Sequence, residues 1–218
     1  MQKLATLFSS VLLVSGCLSA ASPCPQGINL LPMYGRIKKC PEQLVLDQEF
    51  LTACDKQYKT RQEAAVAQVV FGWKYFYTNQ LDVAMKRFNQ AWLLDSTNAD
   101  VYLGFGNILG LKHQFEETLP LFEKSILINP TNPNVWESAS TSYGQMFFLT
   151  KNTAMLDKSI SYLKKSLALN PANARAYGQL TSAYSYCVQK DSAKKYMALT
   201  DKLDPKAVNP EVRMMLRK

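Results

Sequence analysis

Few residues of this 218-residue chain could make or break bonds, and none is paired for the task. His113 is the only histidine. A hydrolytic metal centre, or a Cys–His or Ser–His nucleophile, needs an imidazole with partners, so those schemes lack their usual parts. His113 falls at a turn between two helical stretches and reads as an exposed turn residue. Glu116 and Glu117 are adjacent carboxylates, but they start a surface helix. No glycine-rich phosphate cradle follows a strand, because no strand is predicted. The five cysteines contain no C-x-x-C pair, which leaves zinc without a ligand set. The chain reads as a non-enzyme with no catalytic residues, no metal and no cofactor.

The elements that carry these residues repeat. Gly72 is followed by Gly106, Ala84 by Thr118, Phe88 by Phe122 and Ala91 by Ser125, each at a step of 34 residues. Proline recurs at Pro130, then 41 residues on at Pro171, then 34 further at Pro205. Small residues at a helix crossing let backbones approach closely, and aromatics fill the space between units. This pattern resembles the tetratricopeptide (TPR) repeat, two antiparallel helices that bury their apolar faces only by stacking on neighbours. The resemblance implies an all-α, right-handed solenoid of about four helix-turn-helix repeats over 65–207, divided near 65–98, 99–132, 133–173 and 174–207. The second repeat is the most faithful, with Tyr102, Phe105, Gly106, Phe115, Thr118, Phe122, Ser125 and Pro130 in signature positions. The third has Trp136, Ala139, Ser140 and Tyr143 in its first half. Its second half, Ser159, Leu163, Ser166 and Pro171, comes seven residues late. Either its first helix is lengthened or its turn is enlarged.

Both ends of the solenoid are predicted to be covered. Pro41 and Glu42 start a helix over 41–60, with Leu46, Phe50, Cys54 and Tyr58 on one stripe facing the first repeat. Asn209, Pro210 and Glu211 start a short capping helix over 209–218, whose Val212, Met215 and Leu216 cover the last repeat.

Residues 1–16 read as a signal peptide: Lys3, then the apolar run Leu4–Val14, too short to span a bilayer as a helix. The run ends in Val14-Ser15-Gly16-Cys17, which resembles the lipobox of bacterial lipoproteins. That resemblance implies lipidation at Cys17 and, with Leu18 rather than Asp next, an outer-membrane lipoprotein facing the periplasm. The alternative is cleavage after Ala21, giving a secreted or soluble periplasmic protein. Residues 17–40 form a linker broken by Pro23, Pro25, Gly27, Pro32 and Gly35. Its Leu30–Tyr34 patch is apolar enough to dock on the first helices. In an oxidising compartment Cys24, Cys40, Cys54 and Cys187 allow three pairings. Cys24 with Cys40 closes the cheapest loop, and Cys40 with Cys54 is open if the segment folds back.

The net charge of +8 and pI near 9.2 favour acidic partners or anionic lipid surfaces. However, pairs such as Asp55/Lys56, Lys190/Asp191 and Asp201/Lys202 read as a solvated helix face. No arginine-rich stripe points to nucleic acid. By the TPR resemblance, the first helix of each repeat lines a concave face. The inward positions are Val69, Trp73, Phe76 and Tyr77, then Leu103 and Asn107, then Glu137, Thr141 and Gln145, then Arg175, Gln179, Ser182 and Tyr186. The groove so drawn grades from aromatic to polar. Leu103 and Glu137 stand where a clamp for a peptide carboxylate would need cations. The function implied is a membrane-tethered scaffold gripping a peptide or protein segment. The alternative is a structural assembly factor of an envelope complex, pilotin-like or protease-adaptor-like, acting through its ends or convex face.

Overall fold

The computed structural model describes residues 24–217, and the expected signal peptide and Cys17 lie outside them. Ten α-helices are formed among the described residues: α1 (Pro41–Gln57), α2 (Arg61–Tyr77), α3 (Leu81–Leu94), α4 (Ala99–Leu111), α5 (Phe115–Ile128), α6 (Pro133–Thr150), α7 (Thr153–Leu169), α8 (Ala174–Tyr186), α9 (Lys190–Leu203) and α10 (Pro210–Arg217). No strand occurs among the described residues.

Short polar side chains decide where these helices start and stop. Asn98, Asn132, Asn152 and Asn173 each accept a backbone N–H in the first turn of α4, α6, α7 and α8, as N-caps do. Just before three of them, Asp95, Asn129 and Asn170 fold the chain back by accepting the N–H two residues on, and Asp204 does the same after α9. The last three of these residues keep the 41 and 34 spacing of the prolines that follow them, and Asp95 lies 34 before Asn129. Within each hairpin the first helix ends on a left-handed residue: Asn79, His113, Lys151 and Val188 all have φ between 57° and 61°. At Asn79, His113 and Val188 the turn closes by a pair of bonds, for example His113 N–H to Gly110 O and Gln114 N–H to Leu109 O. This is the Schellman arrangement. His113 is therefore a turn residue, with an exposed side chain.

The third hairpin settles the seven-residue excess. Its helices α6 and α7 have 18 and 17 residues, against 13 and 14 for α4 and α5. Only Lys151 and Asn152 separate them. The excess lengthens both helices and shortens the turn by one residue; the turn is not enlarged. A single bond from Lys151 N–H to Phe147 O closes it, a simpler left-handed cap.

Hairpins α2–α3, α4–α5, α6–α7 and α8–α9 stack in order. The seam positions Ala84, Phe88, Ala91, Thr118, Phe122, Ser125, Ser159, Leu163 and Ser166 are all buried; in the fourth hairpin Ala193 and Thr200 are buried and Met197, in the place of Phe122, is half-buried. Gly72 and Gly104 approach the Phe88 ring from two helices, and a methyl group on Gly104 would lie 2.4 Å from it. Gly106 meets Phe122 in the same way.

The ends depart from expectation. The first hairpin begins at Arg61 rather than 65. Helix α1 packs on it through Phe50, Leu51, Cys54 and the Tyr58 that follows, with Asp55 paired to Arg61, and Leu46 is exposed. At the other end Val208, Val212 and Leu216 are buried, but Met215 points outward. Eight residues make barely two turns, so α10 has one narrow inward stripe.

Residues 24–40 form a strap fastened at Cys24–Cys40 by a disulfide, with Cα atoms 5.3 Å apart. The strap lies on α3. Buried Asn89 holds it: Asn89 Nδ2 donates to the carbonyls of Asn29 and Leu31, and Asn89 Oδ1 accepts from the N–H of Tyr34. Met33, Tyr34, Gly35 and Arg36 all have positive φ, a left-handed turn that costs energy at each non-glycine residue. Three bonds to one buried amide offset that cost. Cys54 is buried and Cys187 half-buried; neither forms a disulfide among the described residues.

Candidate functional site

The first helices of the hairpins line an open groove of about 980 Å³. Helix α2 supplies Val69, Trp73, Phe76 and Tyr77, α4 supplies Leu103 and Asn107, α6 supplies Thr141, and α8 supplies Arg175 and Gln179. Val69 and Leu103 are nearly buried and form its floor. Tyr77 is 79% exposed, stacked on Trp73 with ring centroids 5.9 Å apart. Neither the strap nor α1 covers these aromatics, because the strap is held on α3 and α1 reaches only the start of α2.

Two residues missed by the repeat register belong to this wall. Val66 and Val70 are 55% and 60% exposed, and with Trp73 and Tyr77 they form a stripe at i, i+4, i+7 and i+11 on α2. Hydrophobic spacing within α2 alone would have found them. Leu111, also half-exposed, faces them from the end of α4.

The far half of the groove is polar. Asn107 Nδ2 donates to the Leu103 carbonyl, and its Oδ1 accepts from Ser138 Oγ. Gln179 Nε2 donates to Thr141 Oγ1 at 3.2 Å. Glu137 is not part of the lining. It is 2% exposed, accepting from Asn173 Nδ2 and from Arg175 Nε. A carboxylate there needs paired donors, and α8 with its cap brings both. The result fixes Arg175: its Nε is bound while the side chain stays 73% exposed, leaving the outer guanidinium donors facing solvent in the groove. Gln145, Ser182 and Tyr186 line a second, smaller depression of about 240 Å³, which shares Thr141 and Gln179 with the groove. There Tyr186 meets Phe148 edge-on at 4.9 Å.

Groups with displaced titration lie outside this lining. Burial, and hydrogen bonds donated to Glu123, push the Tyr143 phenol up to about 12 and Tyr162 higher still. The set of possible metal ligands formed by Cys24, Cys40 and Glu42 has its two sulfurs bonded to each other.

Solved structures with this arrangement are known. MamA superposes with a TM-score of 0.57 at 18% identity, over 73% of this chain and 87% of that one. TTC0263, a thermophilic TPR protein of Thermus thermophilus, gives 0.58 at 16% identity over 70% and 79%. The APC/C hetero-tetramer Cut9–Hcn1 gives 0.62 at 14% identity, over 78% of this chain and 31% of that one. This chain has the TPR fold. Neither a protein-family model nor a curated protein matches the sequence. In TPR terms α2, α4, α6 and α8 are the A helices and α3, α5, α7 and α9 the B helices.

Proposed function

We propose that the protein is a non-catalytic scaffold that grips a peptide or protein segment in its A-helix groove, tethered to a bacterial outer membrane by a lipid on Cys17. The observation that carries the binding reading is the uncovered stripe Val66, Val70, Trp73 and Tyr77 beside a polar wall. Exposed aromatics on a packed helix supply desolvated anchor area with little ordering cost in the receptor. The polar half, with Asn107, Thr141, Arg175 and Gln179, would set the register of the bound segment. Its one exposed charge in a fixed position, Arg175, favours a segment with an acidic group there. The tether reading rests on the small-residue run before Cys17. Cys17→Ser should abolish lipid labelling and release the protein from membranes.

The groove is tested by a photo-crosslinking side chain placed at Tyr77 and, as a control, at Leu127 on α5, which is 76% exposed. A partner band should form from position 77 and not from 127. The double variant Tyr77→Ala/Arg175→Ala should weaken that partner's binding at least tenfold with helical content unchanged. Equal crosslinking at the two positions, or full affinity in the double variant, would remove the groove as the site. The assembly-factor reading would then lead, since Leu44, Val45 and Leu46 on α1 and Met214 and Met215 on α10 leave apolar surface at both ends.

A further inference from the structure

The net charge is not spread along the chain. Residues 1–150 hold twelve lysines and arginines against twelve acids, whereas residues 151–218 hold thirteen against five. The excess of eight therefore belongs entirely to the last 68 residues, which hold α7, the fourth hairpin and the cap. Of the acids interleaved with lysines, Asp55 pairs with Arg61 and Asp201 with Arg213.

The fold gathers several of these charges on the B-helix side. Lys158 on α7 lies 4.8 Å from the Tyr162 ring centroid, and Lys164 lies 5.6 Å from that of Tyr184. Lys195 on α9 lies 6.0 Å from Tyr196. Tyr184, a buried residue of α8, stacks on half-buried Tyr196 at 5.4 Å, so Lys164 and Lys195 lie over one pair of rings that joins α7 to α9. Lys165 and Lys194 are exposed beside them on the same helices. None of these five lysines is in an ion pair among the described residues. The neighbouring B helix α5 carries Glu116, Glu117 and Glu123, which confines the basic surface to the C-terminal hairpins.

We propose that this face of α7 and α9 binds the surface of an anionic phospholipid bilayer. Its charges are lysines, compact and hydrated, suited to a diffuse sheet of charge rather than to the forked recognition that arginine gives. Each lysine brought near an anionic membrane strengthens binding by about fivefold. The place where the described chain begins agrees. The strap lies on α3, another B helix, with Arg36 and Lys38 exposed, and Cys24 is seven residues from Cys17, a reach of about 25 Å when extended. Charge alone carries the proposal, so it does not require that Cys17 be lipidated. An acidic segment would be better matched by a groove than by a broad two-helix face.

The test is vesicle flotation of the full chain with phosphatidylcholine alone and with phosphatidylcholine containing phosphatidylglycerol. Three proteins are compared: wild type, the combined Lys158→Gln, Lys164→Gln, Lys165→Gln, Lys194→Gln, Lys195→Gln variant, and a control with Gln at Lys56, Lys59, Lys74, Lys86 and Lys124. Both variants lose the same charge from exposed positions, and the leader is common to all three. Wild type should prefer the anionic vesicles, and the face variant should lose at least tenfold of that preference. The control should lose less than twofold, and added salt should release the wild type. Equal binding to both vesicle types, or equal losses in the two variants, overturns the proposal. Transfer of the protein from anionic vesicles to polyglutamate or duplex DNA of matched charge also overturns it, assigning the face to that polyanion. Retention on the vesicles supports it.

Discussion

The residue after each seam position does a job that differs from repeat to repeat. Asn89, Glu123 and Lys164 follow Phe88, Phe122 and Leu163 in the same register. Glu123 accepts from Tyr143 and Tyr162, and Lys164 sits over Tyr184. Where those repeats have Tyr143 and Tyr184, the second has Leu109, which offers no hydroxyl. Asn89 takes the strap instead. The two phenols on Glu123 make a pH prediction. Burial and the donated hydrogen bonds favour the neutral phenol, so the folded-state pKa is raised above the unfolded value near 10. Their contribution is complete below pH 10 and is lost as pH rises through about 12. The melting temperature should fall across that window, and less steeply in Tyr143→Phe/Tyr162→Phe; identical slopes would refute the assignment. Phe122 is 1% exposed, and its replacement by Ala should cost about 3–5 kcal/mol, whereas exposed Lys124→Ala should leave the melting temperature nearly unchanged. Equal shifts would show that the seam is misplaced.

At the scale of elements, close crossings decide what can stack on what. After α9 the chain crosses α8 at Gly178, where an added methyl group would lie 2.1 Å from the carbonyl oxygen of Ala207. Backbone cannot yield as a side chain can. Gly178→Ala should lift the C-terminal segment, expose Val208 and Val212, and destabilise by roughly 2 kcal/mol. Gly110 is the internal comparison, since a methyl group there meets nothing within 4 Å. Gly110→Ala should instead stabilise by up to about 1 kcal/mol, because glycine weakens a helix. Thermal melts of the two variants should shift in opposite directions. The long third hairpin follows the same logic: adding turns to both helices keeps every backbone group bonded, which a seven-residue loop would not do.

The whole molecule has two unlike sides. The A-helix side is an open groove with apolar residues at one end and polar residues at the other. The B-helix side carries the strap on its first hairpin and exposed lysines on its last two. A stack of hairpins separates these sides because each helix meets only its neighbours, so the two surfaces can vary without disturbing the seam. Binding in the groove and contact with a membrane are therefore compatible on one chain, and the proposed variants at Tyr77 and Arg175 share no residue with those at the five lysines.

The sequence by itself determined the fold. Its glycines, alanines and phenylalanines recur at fixed steps, and each reports on a crossing between adjacent helices, so the register was legible from spacing alone. Most of the groove wall followed from that register, including Trp73, Tyr77, Asn107, Thr141 and Gln179. What the tertiary structure decided was every choice among partners distant in the chain. Glu137 stood among the groove residues until Asn173 and Arg175 were set against it. Leu30–Tyr34 could be read as a patch that docks, but only Asn89, buried and with no tyrosine hydroxyl to bond, shows why it docks on α3 and leaves the aromatics open. Local periodicity records which face of a helix is apolar. It does not record which of several separate segments supplies the missing hydrogen bond or counter-charge, because that depends on geometry the chain acquires only when the hairpins have stacked.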